Sequence, residues 1–169
     1  MWNARVLGYS VCVLSVVITA GSVWAEPLSV KAVMVPKEKI YVDLPTTQKH
    51  FVLFVKREGK AVGSGILDGA AFTEYGMHDI RPGVDGSPRG YVVATLPNGD
   101  HAVIQWDVQA TFVSGSDGKP RLLDNGVWRL IGGTGSLASV TGAGTMHIKA
   151  VSPENREFSF DGEAIVAPK

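Results

Sequence analysis

Hydrophobic and polar residues alternate most regularly between Ala102 and Phe112. Ala102, Ile104, Trp106, Val108, Ala110 and Phe112 form one set; Val103, Gln105, Asp107, Gln109 and Thr111 form the other. A period of two sends successive side chains to opposite faces, so the segment predicts a half-buried antiparallel strand. Tyr91 to Leu96 is a second β-rich run. Pro97-Asn98-Gly99-Asp100 lies between the two, and its Asn-Gly pair accepts the positive φ that a tight hairpin needs.

The same pattern recurs along the chain. Leu28 to Val35 predicts a first strand. Phe51 to Val55 is apolar on both faces, and Glu58-Gly59-Lys60 reads as a turn into Ala61 to Leu67. Val127 to Ile131 leads into Gly132-Gly133-Thr134-Gly135. Met146, Ile148 and Ala150 alternate with Thr145, His147 and Lys149. After a break at Ser152-Pro153-Glu154-Asn155, the residues Phe158, Phe160, Gly162 and Ala164 mark one face of a last strand. Gly76 to Gly90, with four glycines and two prolines, predicts a long loop, and Ser114 to Pro120 a polar hairpin tip. No segment carries the periodicity of an amphipathic helix. About eight strands with short connections predict an all-β domain, an up-and-down barrel or a sandwich.

The N-terminus follows a different rule. Arg5 is the one charge before an uncharged run from Val6 to Ala20 rich in Val, Leu, Ile and Ala, and Val23-Trp24-Ala25 places small residues at a cleavage site. That order predicts a secretory signal peptide over residues 1–25 and a β-barrel or sandwich domain over residues 26–169. A membrane anchor needs roughly 18 to 20 apolar residues, and Gly8, Tyr9, Ser10 and Gly21 interrupt this run. The expected location is therefore outside the cytoplasm, periplasmic or secreted, with no membrane span left after processing. Cys12, the one cysteine, leaves with the leader, so the domain has no internal disulfide and no thiol nucleophile.

Loss of Arg5 leaves 15 basic residues against 16 acidic ones. A surface so balanced offers nucleic acid or anionic lipid no attraction. Gly133-Thr134-Gly135-Ser136-Leu137-Ala138 matches a dinucleotide fingerprint in letters only, since Ser139-Val140-Thr141-Gly142 cannot supply the helix whose N-terminus would face a pyrophosphate. Ser64 lies outside any Gly-x-Ser-x-Gly elbow. His50, His78, His101 and His147 form no His-x-His or His-x-x-x-His pair, so neither a metal site nor a cofactor is expected. His101 and His147 read as surface residues. Glu74-Tyr75-Gly76-Met77-His78-Asp79 gathers two carboxylates, a phenol and an imidazole; His78, Glu74, Tyr75 and Asp79 are the candidates for proton transfer, against a plainer reading as a hydrogen-bonded loop.

Trp128 to Thr145, WRLIGGTGSLASVTGAGT, resembles the Gly-Gly-Thr-Gly segment of the allene oxide cyclase and dirigent-like barrel proteins, in which an apolar strand runs into the glycine motif. The resemblance implies a single eight-stranded antiparallel barrel of the calycin or allene-oxide-cyclase-like type, with an apolar lumen and assembly as dimers or trimers. Members include a cyclase of an unsaturated fatty-acid epoxide and proteins that steer phenoxy-radical coupling. The glycine motif alone matches, so no catalytic residue carries over. On a barrel, Ile104, Trp106, Val108, Phe112 and Trp128 would line the lumen and hold a small apolar ligand. Two rival expectations stand beside that one. They are a cofactor-free cyclase or isomerase acting on a lipid-like or phenolic substrate, and an oligomeric module built on the outer face, where Val103 interrupts the polar set.

Overall fold

The computed structural model describes residues 24–118 and 120–166, so nearly all of the expected leader, with Cys12, lies outside the described residues. The strands in chain order are β1 (Trp24–Asp43), β2 (Phe51–Lys60), β3 (Val62–Ser64), β4 (Ala71–Arg81), β5 (Asp85–Gly86), β6 (Arg89–Thr95), β7 (His101–Ser114), β8 (Pro120–Gly133), β9 (Thr141–Ala150) and β10 (Arg156–Val166). One short 3₁₀ helix, Gly135–Leu137, joins β8 to β9. Among the described residues no helix is long and apolar enough to cross a membrane.

Neighbours around the sheet pair antiparallel, the short β3 adds to β1, and β10 returns to β1, from Trp24 opposite Val166 to Met34 opposite Arg156. The ring therefore closes on eight strands: β1, β2, β4, β6 with the short β5 beside it, β7, β8, β9 and β10. β1 serves both neighbours. It pairs with β10 up to Met34 and with β2 from Val35 on, and a bulge between Pro36 and Glu38 interrupts the second ladder, at a proline that has no N–H to give. Followed sideways from Lys39, the pairing runs through Val55, Gly76, Gly90, Trp106, Trp128, Gly144 and Gly162, and re-enters β1 at Leu28. That offset along one strand is the stagger a closed barrel of tilted strands requires.

The expected alternation holds in β7: Ala102, Ile104, Trp106, Val108 and Ala110 are buried, while Asp107, Gln109 and Thr111 are exposed. The lumen is filled by side chains. Trp106 meets Phe158 at 5.8 Å between ring centroids, Phe158 meets Phe160 at 6.4 Å, and Phe160 meets Trp128 at 6.3 Å and Phe72 at 5.7 Å. Glycines make room for these rings. A Cβ on Gly90 would stand 3.0 Å from the Trp106 ring, and one on Gly162 2.9 Å from that of Trp128.

Three expectations about the chain's course are corrected. The stretch Gly76 to Gly90 is no long loop, because β4 runs on to Arg81 and a tight turn at 82–84 leads to β5 and β6. Glu58-Gly59-Lys60 is strand; the turn comes later, where Gly65 and Gly69 adopt positive φ. β8 begins at Pro120, upstream of Val127. Gly59, Gly76, Gly86 and Gly90 stand inside strands. They mark places where another group comes too close for a Cβ, as at Gly59, whose Cβ would lie 2.7 Å from Met34 Sδ.

Candidate functional site

The two ends of the barrel are built differently. At one, the turn at 65–70, the hairpin at 96–100 and the 3₁₀ helix meet, and Ala61, Leu67, Ala70, Leu137 and Val140 are all buried in the core cluster. This is the apolar end. The other is formed by the connections at 44–50, 82–84, 115–118 and 151–155. Beneath it the inward face carries Arg57, Glu74, His78 and Asp124, the buried charged or polar residues of the described chain. This is the ionisable end.

The sequence of β4 explains how such groups come to lie inside. Phe72, Glu74, Gly76, His78 and Ile80 share its buried face, so a period of two that points Phe72 inward does the same for Glu74 and His78. Arg57 lies opposite Glu74 on β2. Its Nη1 donates to Glu74 Oε2 at 2.8 Å and to Oε1 at 3.1 Å, and lies 3.0 Å from His78 Nε2. His78 Nε2 is also 3.2 Å from Glu74 Oε1. One ring nitrogen cannot accept from Arg57 and donate to Glu74 together, so these contacts belong to alternative tautomers. Burial holds the His78 pKa below its ordinary value, against the raising effect of Glu74 and with help from the Arg57 and Arg156 charges. Gly76 is what lets Glu74 and His78 meet, since a Cβ there would overlap Glu74 Oε1 and stand 3.0 Å from His78 Nε2.

Asp124 lies inward on β8, paired with Ile148. Burial pushes its carboxyl up to about 6, with Arg156 pulling the other way. Arg156 is held to the 151–155 turn by Nη1 bonds to the carbonyls of Ser152, Pro153 and Asn155. Burial and then the Arg57 charge lower its own pKa. Among the described residues three buried side-chain atoms lack a partner: Arg57 Nε, Trp106 Nε1 and Asp124 Oδ1.

The proton-transfer candidates therefore divide. Glu74 and His78 face the lumen. Tyr75 faces outward and is 52% exposed, and Asp79 bonds His50 at 2.6 Å on the outer face. Of the proposed ligand-lining residues, Ile104, Trp106, Val108 and Trp128 are sealed within the packed core, and Phe112 is half-buried toward the ionisable end. Arg57, Asp124 and Arg156 were not anticipated. Arg57 was hidden because Phe51 to Val55 is apolar on both faces and gives no phase; its place two residues from Val55 was the available signal. His101 and His147 are exposed. Among the described residues no group of three His, Cys, Asp or Glu side chains could hold a metal ion.

No family model matches the chain, and no curated protein sequence does. Solved structures match by shape. A β-barrel-like protein of Acinetobacter baumannii AYE aligns over 87% of this chain and 98% of its own, with a TM-score of 0.56 and 7% identity. A protein of unknown function from Clostridium acetobutylicum ATCC 824 aligns over 86% and 99%, with a TM-score of 0.55 and 9% identity. The pterocarpan synthase dirigent protein GePTS1 aligns over 92% and 98%, with a TM-score of 0.51 and 13% identity. These likenesses establish a β-barrel of dirigent-like fold and assign it no activity.

Proposed function

We propose that the processed protein is an exported carrier or receptor for a small molecule with an apolar body and an oxygen-bearing head, admitted through the ionisable end. The observation behind this reading is the set of unpartnered buried atoms, Arg57 Nε, Trp106 Nε1 and Asp124 Oδ1. A buried polar atom without a partner costs about 1–3 kcal/mol, and a carbonyl, carboxylate or phenolic oxygen would satisfy the two donors. Phe51, Leu53, Ile80 and Phe112 stand at inward positions toward that end for the apolar part. The packed rings of the deeper lumen would yield only by moving, which favours a guest held near the mouth. Export rests on the Met1–Ala25 pattern; cleavage after Ala25 would trim β1 by Trp24 and Ala25, the pairs nearest its end. N-terminal sequencing of protein from the producing cell decides that point.

Titration with cis-parinaric acid and with anilinonaphthalene sulfonate tests the binding reading. Saturable binding is expected, weakened strongly by Arg57→Leu and untouched by Tyr75→Ala on the outer face. If folded protein binds neither probe saturably, the reading is wrong.

A second reading, a cofactor-free cyclase or isomerase, is favoured by one feature. His78 is held neutral inside the lumen beside Glu74, in the state a proton acceptor requires. Tyr75 and Asp79 play no part in it. Retained binding with lost turnover in His78→Gln would single it out.

A further inference from the structure

The outer wall carries a feature that lumen binding does not use. A concave trough of about 1250 Å³ crosses seven strands, from β1 to β9. The register shows how it forms. One row of outward residues includes Lys56, Tyr75, Tyr91, Gln105 and Arg129; a second includes Phe54, Met77, Arg89, Asp107 and Val127. Between them lies the inward row that holds Gly76 and Gly90, where no side chain thickens the wall. Six strand spacings of about 4.8 Å make the trough roughly 30 Å long. Its volume exceeds the ~300–1,000 Å³ typical of small-molecule pockets. Those dimensions suit a length of polymer laid along it.

Two kinds of group in the trough are unused. Tyr75 and Tyr91 are cross-strand neighbours, each about half exposed, and among the described residues neither stacks on another ring. The second kind is cationic. Lys39, Lys56, Arg89 and Arg129 line the trough beside Glu38 and Asp107, four positive groups against two negative. The lysines are engaged: Lys56 pairs with Glu38 at 3.3 Å and Glu58 at 3.5 Å, and Lys39 with Glu154 at 3.3 Å. The arginines hold no carboxylate. Arg89 stands opposite Asp107 on the ladder without closing an ion pair. Arg129 gives Nε and Nη2 to Gln105 Oε1 at 2.9 and 2.6 Å, which fixes its plane and leaves Nη1 to donate elsewhere.

We propose that the trough binds an extended acidic polysaccharide, a chain of sugar rings that carry carboxylates. A uronic acid ring answers both unused groups at once. Its C–H face lies against the electron-rich face of a tyrosine, and its carboxylate accepts charge-assisted hydrogen bonds from a guanidinium. Other occupants fit less well. An extended peptide adds to a sheet through free main-chain groups at an edge, and β2, β4, β6, β7 and β8, which form the floor, are paired on both sides. Nucleic acid brings a charge with every phosphate, and Glu38 and Asp107 stand in its way. A second copy of this chain would bring the same surplus of positive groups against it.

Isothermal titration of the protein as the cell processes it reads the outcome, with polygalacturonate fragments, neutral dextran, polyglutamate and single-stranded DNA as probes. Saturable binding of polygalacturonate above the other three is expected, weakening as salt rises. Arg129→Gln and Tyr91→Ala should each weaken it roughly five- to tenfold. Asp107→Asn, which removes a like charge, should tighten it, and Lys149→Gln, an exposed cation outside the trough, should leave it unchanged. Circular dichroism checks that each variant keeps its strands. Should Tyr91→Ala fail to fold, Arg89→Gln at the exposed surface must have the same effect. No binding of polygalacturonate, equal binding of polyglutamate, dextran or DNA, or indifference to these substitutions would overturn the proposal. Tyr75→Ala separates this site from the lumen: it should weaken polygalacturonate and leave the lumen probes bound as before, so the two readings stand or fall apart.

Discussion

The two ends of this barrel use the same strands to opposite purposes. At the apolar end, Leu67, Leu137 and Val140 close the lumen with groups that need nothing but contact. At the ionisable end, the alternation that should supply more such groups delivers Arg57, Glu74 and Asp124. Burying a carboxylate against a guanidinium is at best neutral for stability, because desolvation offsets the attraction. An end designed only to be stable would resemble the other one. The contrast locates the part of the molecule shaped by something besides folding.

Substitutions can break that contrast in order of effect. Glu74→Leu should be most damaging, since it leaves Arg57 buried without its counter-charge; a loss of about 3–5 kcal/mol is expected in urea denaturation. The double change Arg57→Met with Glu74→Leu should recover most of it, while any binding at the ionisable end disappears. If the double variant is as unstable as the single one, the pair is structural after all. Leu67→Ala at the apolar end should cost about 2–4 kcal/mol by leaving a cavity, and no partner substitution should rescue it. Gly76→Ala adds one methyl where Glu74 and His78 meet. Overpacking of this kind costs about 1–3 kcal/mol, and it should disturb binding more than its effect on stability suggests.

The barrel was legible where side chains alternate cleanly. Ala102 to Phe112 and the Asn98-Gly99 hairpin carry local signals that tertiary contacts had no reason to override, and the structure agrees with both. The ionisable end was half legible. Glu74 and His78 stand four apart in sequence, and on a strand that spacing puts them on one face; taken as a loop, the same residues brought Tyr75 and Asp79 in with them. Gly76 caused the misreading. A glycine in a strand looks like a breaker when its neighbours' side chains are out of view, and here its missing Cβ is the space they occupy. Arg57, Asp124 and Arg156 come from three other strands, and only the closed ring brings them together.

The smallest effect sharpens the comparison by pH. Asp124 titrates at about 6 in the folded protein, against about 3.9 in an unfolded chain, so the fold holds this proton more tightly than the unfolded state does. Its contribution is therefore most favourable below about pH 4, declines between about pH 4 and 6, and is flat above that, for a total of at most about 3 kcal/mol. His78 works in the reverse sense: its lowered pKa adds stability above about pH 6.5 that is lost as the pH falls. Taking the difference in unfolding free energy between wild type and Asp124→Asn cancels the histidine. That difference should favour the variant at pH 7 and shrink toward zero near pH 4. A constant gap across the range would mean that the Asp124 carboxyl reaches solvent, against its burial in the structure.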